Sequence, residues 1–252
     1  MKIEKAALVL VDISGYTQFI HWNRNSQLHA EHIITELIEA VIDQSRFPLE
    51  LNKLEGDAVF LYTTLKGQPE AVAKDVLKQS VGFFDAFREK QNELINAVDG
   101  GCGCPACTNI HHLQLKAFLH TGEVIVKQVR QFTELAGEDV ILIHRLLKNS
   151  IDSSEYILLT DAYFQLSGDQ LSFRSSTGTE DYPHSGSVGY KVYFPTPAAI
   201  HPQHTEGKPL SKPMSKPRGI IEIMRFMMKI FWRQLSGQLA ESYHHLPHKP
   251  QQ

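Results

Sequence analysis

Two acidic side chains stand where carboxylates can do chemistry. Asp12 closes the apolar run 6–11, Ala-Ala-Leu-Val-Leu-Val, and is followed by Ile-Ser-Gly with turn character. Asp57 follows Glu55-Gly56 and precedes the apolar run 58–62. Carboxylates at strand ends, with a strand-end carbonyl such as that of Ile13, are hard oxygen ligands of the kind Mg²⁺ prefers. The competing reading is local: Asp12 caps the following helix and Asp57 occupies a turn, as Asp often does.

A second group is soft rather than hard. All three cysteines, Cys102, Cys104 and Cys107, lie in one short stretch with His111 and His112 just beyond. Three thiolates and the imidazole of His111 make a candidate zinc set, since structural zinc takes four such ligands tetrahedrally. A redox-active thiol group and an inert loop are the alternatives. An odd cysteine number in one cluster argues against a secreted disulfide framework.

The elements that must position these groups follow from periodicity. Apolar residues at three- and four-residue spacing, from Leu28 to Ile42, predict a helix over 27–44. The segment 49–62 predicts a β-hairpin with Gly56-Asp57 at its turn. A long helix is expected over 69–98, with Pro69 in its first turn and an apolar stripe through Val76, Phe84 and Phe87. A second hairpin is expected over 113–129 around His120-Thr121-Gly122-Glu123, then a helix within 137–149 and short strands at 156–159, 171–174 and 190–194. This order mixes parallel and antiparallel pairing and predicts an α+β sandwich with helices on a sheet.

From Pro195 to Pro217 six prolines stand among Lys, Ser, Thr and His, which reads as a linker. Beyond it, 220–235 is apolar except for a few polar residues, with Arg225, Lys229 and Arg233 recurring every four. That pattern suits a helix in a membrane interface or one docked on protein. The division is a domain over 1–195 with its Cys-rich loop at 99–112, a Pro-rich linker over 196–218, and an amphipathic helix and tail over 219–252.

A net charge of -3 gives no basic field to draw in nucleic acid, and 42% hydrophobic with 21% charged residues excludes a disordered or fibrous class. The apolar run after the N-terminus is too short for a secretory signal, and no stretch of about 20 residues is apolar and free of charge. A cytoplasmic protein is expected.

Four blocks resemble the class III adenylyl and guanylyl cyclase catalytic domain, in its order and over about residues 5–165. They are Val11-Asp12-Ile13-Ser14-Gly15-Tyr16-Thr17, Lys53-Leu54-Glu55-Gly56-Asp57, Phe118-Leu119-His120-Thr121-Gly122, and Gly137 through Arg145. The chain is identified as a divergent, bacterial-type member. The resemblance implies a ferredoxin-like cyclase sandwich with a mixed, mainly antiparallel sheet, with the C-terminal helix as an appendage. It implies two Mg²⁺ or Mn²⁺ ions on Asp12, Ile13 and Asp57, with ATP favoured by Lys53. Base reading is completed by Glu134, or by Thr133 if one residue is inserted. Arg145 stabilises the phosphates in the transition state, and the site forms between the two chains of a homodimer. Where the family has an asparagine that orients the ribose, this chain has Ile141, which cannot hydrogen-bond through its side chain. The implied function is cyclisation of ATP to cyclic AMP and pyrophosphate. The alternative is a nucleotide- or metal-binding signalling module without turnover.

Overall fold

A computed structural model describes residues 1–98 and 104–195. Its centre is β1 (Lys2–Ser14), whose residues Ala6 to Leu10 are wholly buried. After a short helix, α1 (Tyr16–Trp22), the chain enters α2 (Gln27–Gln44), then the hairpin β2 (Glu50–Glu55) and β3 (Ala58–Thr64). The long α3 (Pro69–Val98) and the short α4 (Pro105–Asn109) lead into β4 (Gln114–Val129). β5 (Phe132–Ala136), α5 (Glu138–Arg145), β6 (Tyr156–Thr160), α6 (Asp161–Ser167), β7 (Arg174–Tyr182) and β8 (Gly186–Phe194) complete it.

The sheet runs β2-β3-β1-β4-β6-β8-β7, with β5 paired to β4 beyond that path. The first four strands in that order are a ferredoxin-like β-α-β-β-α-β unit, and the only parallel pair among the described strands is β4 with β6. The α+β sandwich with a mixed, mainly antiparallel sheet is thus observed.

Alternation sorts the core into two layers. Odd residues of β1, including Val9 and Val11, join Ile33 and Leu37 of α2, Phe84 and Phe87 of α3 and Tyr163 of α6. Even residues, Leu8 and Leu10, join Phe60, Phe118 and Leu158, covered by Val140, Ile143 and Leu146 of the α5 region. Burying each such side chain is worth about 1.5–3 kcal/mol, so α5 is held to its face by apolar contact as well as by polar bonds. The Tyr163 hydroxyl donates to the Ala73 carbonyl at 2.8 Å and locks α6 to α3.

Both long helices and the β2–β3 hairpin occupy the expected segments. The second expected hairpin does not turn at 120–123. β4 continues through it because β1 extends back to Lys2 and pairs with it as far as Val126. The reversal falls instead at Arg130, whose φ is 55°, and β5 is the returning arm. The strand expected at 171–174 begins only at Arg174, as the exposed edge strand β7, whose polar sequence has no apolar alternation to reveal it. α6 was not anticipated. The linker at 196–218 and the stretch 219–252 lie outside the described residues. No described helix is long and apolar enough to cross a membrane.

Gly122 sits inside β4 because a Cβ there would stand 2.0 Å from Cγ of Asp139. Gly122→Ala therefore pushes α5 off the sheet and is expected to cost about 1–3 kcal/mol, read as a lower melting temperature with the strand signal of the fold retained. Unchanged stability would show that α5 docks without this contact.

Candidate functional site

Asp12 is the last even residue of β1 before its closing pair, so it faces the α5 side of the sheet. It is paired with Ala58 of β3 on one flank and Lys116 of β4 on the other. Asp57 lies in the β2–β3 turn immediately before Ala58. The Ile13 N–H donates to the Asp57 carbonyl at 3.3 Å, which ties the turn to the end of β1. Gly56 precedes it at φ 67°, a left-handed position that glycine takes without strain. Gly15, at φ 91°, lets β1 turn into α1. The Ile13 side chain is buried, and its carbonyl is at the same strand end.

Burial pushes the Asp12 carboxyl above its ordinary value, and the charge of Lys116 opposes this. The Asp57 carboxyl is pushed up to about 6, first by burial and then by the charge of Asp12, with Glu31 adding a little. Neither carboxylate is in an ion pair among the described residues. Two half-buried acids at one strand end, the charge of Asp12 opposing ionisation of Asp57 and neither in an ion pair, match what a divalent cation would stabilise. The donor set fits Mg²⁺ or Mn²⁺.

Lys53 lies on β2 with its ammonium 2.7 Å from Glu55 and 5.9 Å from the centre of the Phe60 ring. Glu55 is also 2.9 Å from Nε2 of His144, whose Nδ1 donates to the Val140 carbonyl at 2.7 Å. Burial opposes ionisation of Glu55, but Lys53 and His144 together hold it below its ordinary value. His144 thus ties α5 to the β2–β3 hairpin and is no stand-in for the missing asparagine. Asn52, next to Lys53, donates to the Thr133 carbonyl at 3.1 Å, so β2 and β5 meet within one chain. Leu135 and Phe60 share one core layer, so alternation puts Thr133 on the Lys53 face and Glu134 on the other.

Arg145 ends α5. Its Nη1 donates to the Pro183 carbonyl and to Ser185 Oγ at 3.0 Å, in the turn between β7 and β8. Within one chain it is therefore engaged away from the two carboxylates. Ile141 points outward from α5 and is 52% exposed. The start of α5 is fixed by His120, which is buried. Its Nε2 lies 2.9 Å from Asp139, its Nδ1 lies 2.9 Å from Thr160 Oγ1, and the second Asp139 oxygen accepts from the Glu123 N–H at 2.7 Å. The bond from His120 outweighs burial and holds Asp139 below its ordinary value. His120 is a positioning group for α5.

Of the soft set, Cys102 lies outside the described residues. Cys104 and Cys107 are brought together, but with His29 of α2 rather than with His111. The His111 ring instead lies against that of His112, centroids 4.0 Å apart and tilted by 41°. The sequence reading missed His29, which no short spacing connects to the cysteines, and Lys116, which only the β1–β4 register places beside Asp12. Apolar alternation assigns a face but not a register.

Comparison with known proteins bears on the fold and the family. A family model described as a protein of unknown function (DUF2652) matches residues 34–156. The Mycobacterium tuberculosis (strain ATCC 25618 / H37Rv) protein named Uncharacterized protein Rv2561/Rv2562 is 34% identical over 155 residues, 62% of this chain and 70% of the relative. Among solved structures, the guanylyl cyclase Cya2 matches with a TM-score of 0.56 at 14% identity, over 77% of this chain and 92% of that one. The catalytic core of a rhodopsin-guanylyl cyclase with converted specificity, in complex with ATPαS, gives 0.54 at 17% identity over 77% and 98%. The adenylyl cyclase CyaB from P. aeruginosa gives 0.53 at 16% over 76% and 94%. At these identities the likeness establishes the fold alone, one shared with adenylyl and guanylyl cyclase domains.

The raised carboxyl of Asp57 has a measurable consequence. Its folded value of about 6 lies above the ordinary 3.8, so its contribution to stability is present at low pH and lost as pH rises through 6. Asp57→Asn in metal-free protein is expected to be more stable than the parent above that pH, by about 1–2 kcal/mol after allowing for solvent screening of a half-exposed group. The gain should vanish near pH 4. Thermal melts of both proteins across this range check it, and a gain independent of pH would contradict the cause given.

Proposed function

We propose, for a chain that belongs to the family of the Mycobacterium tuberculosis protein Rv2561/Rv2562, a nucleotidyl cyclase-like activity that closes ATP to cyclic AMP and pyrophosphate between two copies of the chain. The observation that carries this reading is the placing of Asp12 and Asp57 at one strand end, in no ion pair among the described residues, inside a cyclase-type fold. Asp12, Asp57 and the Ile13 carbonyl would hold two Mg²⁺ or Mn²⁺ ions. When bound, these would neutralise triphosphate charge and make the ribose 3′-hydroxyl more acidic.

The remaining roles belong to side chains. Lys116 extends cationic character beside Asp12, where phosphate oxygens would lie. Lys53, with Thr133 on its own face of the sheet rather than Glu134 on the other, reads the base, and the Lys53–Glu55 contact keeps the ammonium in place. In the reaction the 3′-hydroxyl gives its proton to solvent and its oxygen bonds to the α-phosphorus as the bond to the α,β-bridging oxygen breaks and pyrophosphate leaves. Arg145 meets the developing negative charge on the partner copy's nucleotide, for which a guanidinium is suited. To do so it must leave Pro183 and Ser185, so pairing of two copies has a side-chain exchange built into it. An activity that uses ATP is expected in the cytoplasm, and the basic, aromatic stretch 219–235 is the candidate for peripheral membrane contact.

One observation favours the second reading, a signalling module that binds nucleotide or metal without turnover. Ile141 offers no hydrogen bond where the ribose must be oriented, and lost orientation costs orders of magnitude in rate.

Purified protein incubated with ATP or GTP and Mn²⁺, followed for cyclic nucleotide, tests both. The first reading predicts slow formation of cyclic AMP that Asp57→Ala abolishes and that Ile141→Asn raises by about tenfold or more. Nucleotide binding without product in either the parent or Ile141→Asn supports the second. Absence of both nucleotide and metal binding overturns both.

A further inference from the structure

Three soft ligands meet away from the carboxylates. His29 is in the first turn of α2, Cys104 precedes α4 as its N-cap, and Cys107 lies buried within α4. Cys104 Sγ is 3.4 Å from His29 Nδ1 and 3.6 Å from Cys107 Sγ. Cys107 Sγ is 3.9 Å from Nδ1 and 3.7 Å from Nε2 of His29. Zinc bonds of about 2.3 Å to sulfur and 2.0–2.1 Å to nitrogen, at a tetrahedral angle, set sulfur atoms about 3.8 Å apart and sulfur about 3.5 Å from nitrogen. The observed edges fall close to these values. A disulfide would need its sulfurs at about 2.05 Å, and these cysteines are not so joined.

We propose that His29, Cys104 and Cys107 supply three of the four ligands of a zinc ion that clips the start of α2 to α4. The set joins segments distant in sequence, His29 of α2 with the two cysteines at α4. The clip reaches the strand end indirectly. α4 continues through a short 3-10 turn, Ile110–His112, and the His112 carbonyl lies 3.2 Å from where a Cβ on Gly15 would stand. The His112 ring meets Trp22 of α1 edge-on, centroids 5.9 Å apart. Further along α2, Glu31 accepts from the Tyr16 hydroxyl at 3.1 Å. Both ends of the clip therefore bear on the turn that follows Asp12. The zinc site itself does not rest on the cyclase reading.

The test is metal analysis of the full chain purified under reducing conditions. The parent is expected to hold about one zinc per chain, His29→Ala less than about a fifth of that, and His111→Ala the parental amount. The cobalt(II)-loaded parent should show thiolate-to-metal charge-transfer absorption and the visible bands of a four-coordinate ion, both weakened in Cys104→Ser. If His29→Ala fails to fold, the parent alone decides: chelation should lower its melting temperature and added zinc restore it. Less than about one zinc for every two parental chains, equal loss in His111→Ala, or a melting temperature indifferent to chelation and zinc overturns the proposal.

Discussion

Strand β1 has an antiparallel neighbour along each edge, β3 on one side and β4 on the other, and this double pairing determines where its terminal carboxylate stands. With both edges hydrogen-bonded, a slip of one residue would turn Leu8 and Leu10 out of one core layer and Val9 and Val11 out of the other. The same register brings Lys116 beside Asp12 and places the Asp57 turn against Ile13. The position of the acids is therefore held by the burial of the whole central strand, not by contacts of their own. That arrangement makes their mutual repulsion tolerable, because the core supplies the stability that their placement costs.

The helical half of the fold was legible because its signals are local. α2 carries its apolar stripe in every turn, and Pro69 marks where α3 begins. The β2–β3 hairpin was legible for the same reason, with Gly56 at the one position its turn needs. β4 was misread because His120-Thr121-Gly122 looks like turn chemistry. Those residues lie within the strand because Thr160, Asp139 and the close approach of α5 require them there, all distant in sequence. β7 carries its pattern in polar residues on an exposed edge, where periodicity has little to report. In the site, Asp12 and Asp57 stood out as strand-end acids. Their company did not: Lys116 depends on register, and His29 depends on how α2 packs against α4.

Seen from α5, the single chain holds the parts of a site without its closure. His120 and Asp139 fix the helix start, and His144 binds it to the β2–β3 hairpin through Glu55. Arg145, at its far end, is engaged with the β7–β8 turn, while Ile141 faces outward. In the proposed reaction a second copy receives that outward side. The cysteine clip would act from the other direction, stiffening the turn after Asp12 rather than touching a substrate. Stiffening of that kind matters most where two like charges must be held close together.

Diffraction from crystals grown with Mn²⁺ and a non-reacting ATP analogue, recorded for the anomalous signal of manganese, shows whether Asp12 and Asp57 share a metal ion. A peak is expected within about 2.0–2.3 Å of carboxylate oxygens from both Asp12 and Asp57. Ordered carboxylates without a shared peak, or metal bound by only one of them, would contradict a shared metal site.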